Sequence, residues 1–261
     1  MNEKPYLSRF NAVFGISSNP YSDQSKAYNP TLDSAKYYNV LFTALDDPFW
    51  NIRSMALTGL SRFEGKDKEL LFKKVEGIAL SDSNTQVRSQ AIQFLSEKDS
   101  IAMNYESVYQ MGVKDSSYMV NAASLLAYLK TEKDSVKKEA VILSSMQEVN
   151  GEVVRSLGKY FLGVNDSTRF DWFLKSYAVL TKGHKIRFSE LLADYYAIVD
   201  SSGQQLIVES FYNAGLEGES IYDRFSGYLG LFSLSGEATT AVFRKEVVAK
   251  ETNPTLVRAY E

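Results

Sequence analysis

Three stretches of this chain place apolar residues every three or four positions, the spacing that lets an α-helix bury one face. The stripes consist of Ile52, Met55, Ala56 and Leu60, of Val87, Ala91, Phe94 and Leu95, and of Leu125, Leu126 and Leu129. No stretch sustains the period-two alternation of a half-buried strand. Residues 49–253 contain no proline, which leaves room for uninterrupted helices. The pattern therefore predicts an all-α protein.

Helices preceding these stripes are predicted to pack against them. We expect them over residues 35–45, 68–80, 101–113 and 135–146, and we expect a first helix over residues 6–16, set apart from the regular repeats. Further helices are predicted over residues 166–181, 185–200, 202–216, 219–234, 237–250 and 254–260. We expect Asp47 to cap the helix that follows it, with Pro48 at the first helical position, and Asn253 with Pro254 to repeat the arrangement.

A short polar phrase recurs ahead of the stripes. Residues 47–53 run from Asp47 to Arg53, and residues 82–88 repeat the skeleton from Asp82 to Arg88. Weaker copies follow at residues 115–121 and 148–155. A period of roughly 33–47 residues is typical of solenoids in which each helical hairpin is buried only by its neighbours. The fold class predicted is an α-solenoid of HEAT- or armadillo-like repeats.

We interpret the chain as a single helical-repeat domain over residues 1–261. An opening helix and a polar, proline-punctuated connection occupy residues 1–31, clear repeats occupy residues 32–164, and divergent helical repeats occupy residues 165–261. A compact helical bundle closing the chain is the alternative for the last part.

Composition narrows the classes of partner. The net charge is −3 with both signs interspersed, so the chain lacks the basic stripe that a nucleic-acid partner requires. No cysteine is present, which excludes disulfides, thiolate metal ligands and a cysteine nucleophile. The longest apolar run, residues 122–129, is too short to span a membrane, and the first residues resemble no signal peptide. We expect a soluble chain without a membrane partner, and the compartment stays open.

The recurring acids and arginines are the first candidate site. Asp47 precedes Arg53 by six positions, Asp82 precedes Arg88 by six, and Asp115 opens the third copy. In stacked helix pairs this spacing lets an arginine reach the aspartate of its own or an adjacent repeat. Since a catalytic pair has no reason to recur with the repeat, we interpret these residues as a structural ladder.

Other candidate chemistry is sparse. His184 is the only histidine, so a zinc site with two histidines one turn apart cannot form, and we interpret it as a loop or helix-start residue. Phosphate-binding glycine loops and a nucleophile elbow are absent from the sequence. Aromatic pairs are frequent and mainly indicate packing between helices, with one ring of a pair buried and the other exposed. Trp50 and Tyr196 are the candidate interaction surface.

The run Ala44-Leu45-Asp46-Asp47-Pro48-Phe49-Trp50-Asn51-Ile52-Arg53, followed by Ala56-Leu57, resembles the helical-repeat tail of bacterial zinc aminopeptidases of the aminopeptidase N family. Residues 6–12 are similar to the opening helix of that tail. The resemblance covers residues 5–160 well and the remainder only in kind. The family's His-Glu-x-x-His and Gly-x-Met-Glu-Asn signatures match nothing here, so no catalytic residue carries over.

The resemblance implies a non-catalytic C-terminal domain whose parent carries zinc in a catalytic domain outside this chain. Such a domain caps the peptidase domain in cis, shapes the peptide chamber and meets the peptide substrate only indirectly. No cofactor is expected in these 261 residues themselves. The alternative is a free-standing HEAT-type adaptor that binds a protein partner, and an independent helical hydrolase is the third hypothesis.

Overall fold

The computed structural model describes residues 5–18, 34–61, 68–98, 105–234 and 238–260, and all regular structure in these ranges is helical. The chain divides into two compact units, Met1–Thr131 and Glu132–Glu261. This division falls earlier than residue 164, where the repeated phrase fades from the sequence.

The first unit alternates two kinds of helix. The helices are α1 (Tyr6–Ser18), α2 (Ser34–Ala44), α3 (Trp50–Leu60), α4 (Lys68–Ser81), α5 (Thr85–Lys98), α6 (Glu106–Gly112) and α7 (Tyr118–Thr131). Each odd-numbered helix after α1 packs against the odd-numbered helix before it and against the even-numbered helix that leads into it. The predicted stripes supply this core, since Ile52, Val87 and Leu125 are each almost fully buried.

The second unit continues the alternation. Its helices are α8 (Ser135–Ser145), α9 (Gly151–Gly163), α10 (Phe170–Val179), α11 (Lys182–Tyr195), α12 (Ser201–Glu217), α13 (Ile221–Ser233), α14 (Ala238–Lys250) and α15 (Pro254–Tyr260). Short 3₁₀ turns precede α10 and follow α11, at Ser167–Arg169 and Tyr196–Ile198. The odd-numbered helices α9, α11, α13 and α15 pack in succession, as α1, α3, α5 and α7 do.

The all-α fold built from helices packed on their neighbours is thereby confirmed, while the HEAT or armadillo type stays a prediction. Several bounds differ from those predicted. The predicted helix over 101–113 is α6, which begins at Glu106, and residues 101–104 lie outside the described ranges. The predicted helix over 185–200 begins earlier, at Lys182, and ends in the 3₁₀ turn at Ile198.

The predicted cap of α3 is wrong. The helix begins at Trp50, so Pro48 lies outside it, and Phe49 occupies the N-cap position without a side-chain hydrogen bond. The Asp47 carboxylate accepts instead from the Phe49 N–H at 2.9 Å, which closes the turn before the helix. The second predicted cap is confirmed, because α15 begins at Pro254 and the Asn253 side chain accepts from the Thr255 N–H.

Candidate functional site

Arg53 joins two consecutive turns of the first unit. Its Nη1 donates to the carbonyl of Asp47, six residues earlier, at 2.7 Å. Its Nε and Nη2 donate to the two carboxylate oxygens of Asp82 in the next turn, both at 2.7 Å. The arginine therefore donates a hydrogen bond to the backbone carbonyl six residues earlier, in its own turn. Its ion pair is formed with the aspartate of the following repeat.

The same contact recurs on either side. Arg9 donates from Nε to Asp47 at 2.7 Å, and Arg88 donates from Nη2 to both oxygens of Asp115 at 3.0 and 3.1 Å. Arg9, Arg53 and Arg88 are each the fourth residue of their helices, α1, α3 and α5. We call the three pairs, Arg9–Asp47, Arg53–Asp82 and Arg88–Asp115, the ladder. The structure thus brings together all five residues predicted for it and adds Arg9.

Burial is deepest at the first pair of the ladder. Asp47 is 1% exposed and Arg9 is 4% exposed, whereas the side chains of Arg88 and Asp115 are 17% and 23% exposed. Removing two charges from water is costly unless further hydrogen bonds satisfy them. Here each carboxylate also accepts the backbone N–H two residues later, at Phe49, Asn84 and Ser117. In Arg9–Asp47 and Arg53–Asp82, two nitrogens of the guanidinium bind the two carboxylate oxygens, which adds strength that a point charge would not.

The ladder changes at α7. Asn121 holds the fourth position of that helix, where the three preceding odd-numbered helices carry arginine. Its amide donates to the Val113 carbonyl at 2.6 Å, so it keeps the contact to its own turn. An amide is shorter than a guanidinium and uncharged, and it therefore supplies no ion pair.

The second unit contains equivalent pairs that the sequence did not predict. Arg224, the fourth residue of α13, donates from Nη1 to the Gly218 carbonyl, again six residues earlier, at 3.0 Å. Its Nε donates to Glu251 at 2.9 Å, and Glu251 accepts the Asn253 N–H two residues later. The sequence signal was an arginine near the start of a predicted helix, Arg224, with a carboxylate shortly before the next odd-numbered helix, Glu251.

Lys185 takes the fourth position of α11 and forms the other pair of this kind. Its Nζ lies 2.9 Å from Asp223 Oδ1, and the lysine is 8% exposed. Burial raises the pKa of Asp223, but hydrogen bonds from Ser220 and Lys185 outweigh it and hold the pKa below its ordinary value. The Glu251 pKa is lowered in the same way, since the Asn253 N–H and the Arg224 guanidinium outweigh its burial.

Two buried tyrosines, Tyr177 and Tyr195, lie close to charged groups and form structural hydrogen bonds. The Tyr177 hydroxyl bonds Ser226 Oγ at 2.8 Å, and Ser226 in turn donates to the Asp223 carbonyl. Burial raises the pKa of Tyr195 to about 12, and its hydroxyl donates to the Asp166 carbonyl at 2.6 Å. Both phenols remain protonated at neutral pH and serve as hydrogen-bond donors.

His184 lies where the sequence placed it, in the first turn of a helix. It is the third residue of α11, and its side chain is 38% exposed. Its Nδ1 is 3.7 Å from Glu152 Oε1, beyond hydrogen-bond length. A Cβ at Gly151 would fall 2.3 Å from the imidazole, so glycine at that position makes room for the ring.

The two predicted interaction residues differ in exposure. Trp50 is 42% exposed and its neighbour Phe49 is 47% exposed, so this aromatic pair lies outside the core instead of contributing one ring to it. Tyr196 is half-buried in the 3₁₀ turn after α11, next to the fully buried Tyr195. The second pair follows the predicted division into a buried and a more exposed ring.

Trp50 belongs to a larger exposed set in the first unit. Even-numbered helices end and odd-numbered helices begin at one edge of that unit, directly beside the ladder. Large apolar side chains are exposed along it, and together we call them the apolar edge: Tyr6, Leu7, Phe49, Trp50, Leu80, Met111, Tyr118 and Met119. The ring centroids of Tyr6 and Phe49 lie 4.6 Å apart, so the first residue of α1 contacts the residue before α3.

Acidic and imidazole groups do not converge elsewhere in the ranges described above. Among those residues, no three His, Asp or Glu side chains come together as a metal site would require. Within the same ranges, no helix has the length and apolar character needed to cross a bilayer. The charged groups that do converge form ion pairs, and Arg169 binds two carboxylates, those of Glu139 and Asp166.

Comparison with known proteins adds no relationship. No protein-family model matches the chain, and no curated protein matches its sequence.

Proposed function

We propose that the chain is a non-catalytic helical-repeat domain of a larger zinc aminopeptidase, where it caps the catalytic domain and encloses the peptide chamber. The observation that supports this most is the use of the recurring acids and arginines. Asp47, Asp82 and Asp115 each bind an arginine and a backbone N–H. Carboxylate oxygens that are already occupied by an arginine and a backbone N–H are not free to contact a substrate, so the structural contacts account for these acids.

The resemblance of residues 44–53 to the aminopeptidase N tail supports the finer part of the proposal. The structure gives most of that phrase a packing role, since Leu45 and Ile52 are buried and Asp47 and Arg53 belong to the ladder. Zinc and the catalytic acids would belong to the parent's peptidase domain.

The first experiment addresses catalysis. The purified chain is incubated with aminoacyl chromogenic substrates and zinc, alongside a complete aminopeptidase of the same family as a positive control. We expect no hydrolysis above the rate without protein. Turnover that a chelator abolishes would overturn the non-catalytic assignment.

A second experiment addresses the parent. The genomic reading frame upstream of Met1 is read for an in-frame His-Glu-x-x-His followed by a distant glutamate. Finding it supports the proposal, whereas a frame that opens at Met1 with its own ribosome-binding site supports the adaptor.

The adaptor is the second candidate because of the apolar edge. Helical-repeat proteins bind partners across successive repeats, and the exposed Trp50 and Tyr118 lie at equivalent positions, the first residue of α3 and of α7. An adaptor needs such a surface, and so does a domain that docks onto a peptidase.

A further inference from the structure

The exposed apolar side chains of the first unit are unevenly distributed. Ten large ones are exposed among the described residues of that unit, and eight of them form the apolar edge. The two others, Phe14 and Leu70, lie elsewhere on α1 and α4. Single exposed apolar residues are ordinary, but a concentration of this kind marks an interaction surface.

The edge has a regular geometry. Tyr6, Trp50 and Tyr118 are the first residues of α1, α3 and α7, and Thr85 holds the same position in α5. Consecutive odd-numbered helices are packed together, and packed helices lie about 8–10 Å apart. Four helix ends therefore form a row about 25–30 Å long. Leu80 and Met111, near the ends of α4 and α6, border the same row.

We propose that the apolar edge binds the same edge of a second copy of this chain. The first argument is area. An aromatic side chain buries about 150–250 Å² when fully covered, and leucine and methionine somewhat less, so eight side chains at roughly half exposure present on the order of 700 Å². A stable interface of standard size takes about 800 Å² from each partner. Two such edges together bury about 1,400 Å², within the range of about 1,200–2,000 Å² for specific interfaces.

The second argument is charge. The cations that the ladder brings to this edge, Arg9, Arg53 and Arg88, are each bound to a carboxylate of the same chain. Asp46 in the first turn is paired with Lys74. Two identical surfaces repel when they carry unpaired like charges. These ion pairs are closed within each copy. The exposed Lys114, in the turn before α7, lies at one end of the row, so an antiparallel arrangement keeps the two copies of this lysine apart.

The two-fold arrangement that best pairs the rows is antiparallel. One end of the row carries Tyr6 and Leu7, and the other carries Met111, Tyr118 and Met119. Antiparallel pairing sets the methionines of one copy against the aromatic end of the other, where thioether–ring contacts are favourable. The centre of the row, between Trp50 and Leu80, then lies on the axis.

Sedimentation velocity over a concentration series tests the association. We expect the chain to be a dimer and the Trp50→Lys/Tyr118→Lys variant to be a monomer, with its dissociation constant raised at least about 100-fold. Leu70→Lys is the matched control, because Leu70 is 56% exposed in the same unit but lies off the edge. It should dimerise as the unmodified chain does. Circular dichroism must show equal helix content in all three proteins.

A chain that stays monomeric at every concentration would overturn the proposal, and so would an edge variant that still dimerises or a Leu70→Lys variant that does not. The experiment uses this chain alone, so its outcome is independent of whether a peptidase domain is the partner in cis.

The absence of cysteine permits a direct test of the arrangement. Under mild oxidation, an equal mixture of Leu7→Cys and Tyr118→Cys chains should form a disulfide-linked dimer in high yield, and each variant alone should give several-fold less. Efficient linking of Leu7→Cys to itself would overturn the antiparallel arrangement.

Discussion

A single guanidinium, that of Arg53, holds two consecutive turns of the first unit. Its side chain is 12% exposed and that of its partner Asp82 is 6% exposed. Arg53→Ala leaves a carboxylate largely buried without its counter-charge, and we expect a loss of about 3 kcal/mol in the free energy of unfolding. Urea titration followed by circular dichroism measures the change. The matched control is Arg187→Ala, because Arg187 is exposed and its Nη2 is 3.6 Å from the Glu152 carboxylate, and this change should alter the free energy of unfolding by less than about 0.5 kcal/mol. Equal losses for the two variants would show that the Arg53–Asp82 pair stabilises the fold no more than the Arg187–Glu152 contact does.

The ladder also shows which residue roles were predictable. The Asp47–Arg53 spacing was visible because it recurs at Asp82–Arg88. Arg224 was missed, although it makes the same contacts, because Gly218 stands six residues before it. The arginine donates to the backbone carbonyl six residues earlier, and every residue type supplies that carbonyl. An aspartate is needed there only because its carboxylate pairs with the arginine of the preceding repeat. The Asp-to-Arg spacing therefore reflects two separate contacts.

At the scale of helices, one crossing in the second unit depends on glycine. A Cβ at Gly227 of α13 would lie 2.3 Å from the Gly215 nitrogen and 2.4 Å from the Phe211 carbonyl oxygen, both in α12. These are backbone atoms, so the helices themselves must separate. We expect Gly227→Ala to destabilise the protein by about 3 kcal/mol or more. Gly77→Ala in α4 is the control, because a Cβ at Gly77 has no atom within 4 Å. We expect this change to stabilise the protein by about 0.5–1 kcal/mol. Thermal melts of both variants provide the comparison.

The acid response of the second unit follows from its paired carboxylates. The pKa values of Asp166, Asp223 and Glu251 are lowered in the folded protein, because hydrogen bonds and nearby cations outweigh the burial that raises them. A lowered folded pKa contributes stability that is complete above the unfolded value, near 4, and is lost as the pH falls through the folded value. We expect Tm to be level near neutrality and to fall below about pH 5. The fall should be shallower in Glu251→Gln and in Arg224→Gln, and a profile identical to that of the unmodified chain would contradict this account.

Helix existence was more predictable than helix ends. The stripes at 52–60 and 87–95 gave α3 and α5 because burial of one face requires that spacing. The start of α3 was misplaced, since Asp47 and Pro48 suit a helix start equally well as a tight turn. In the structure Asp47 accepts from Arg9, 38 residues away, and a contact at that separation is not visible in the local phrase.

For the whole molecule, exposure was the property that the sequence predicted least. Trp50 was a candidate for the surface, but nothing in the sequence indicated that Phe49 beside it is exposed as well. Helical periodicity says which residues share a face and does not say whether that face is covered. The extended apolar edge became visible only when α1, α3, α5 and α7 were placed side by side.

Association of two copies through that edge has a thermodynamic consequence for the whole protein. A dimer is stabilised by mass action, so Tm should rise with protein concentration. We expect the rise in the unmodified chain and its loss in Trp50→Lys/Tyr118→Lys, measured by calorimetry at a series of concentrations. A concentration-independent Tm in both proteins would contradict self-association.

The order of the charges within each ion pair bears on how the chain emerges during synthesis. In the ladder and in the Arg224–Glu251 pair, the cation comes first and its carboxylate follows 27–38 residues later. A newly made odd-numbered helix therefore waits for about one further repeat before its arginine is neutralised. In these pairs each repeat is completed by its successor, so a chain that ends between the two would carry the arginine without its carboxylate.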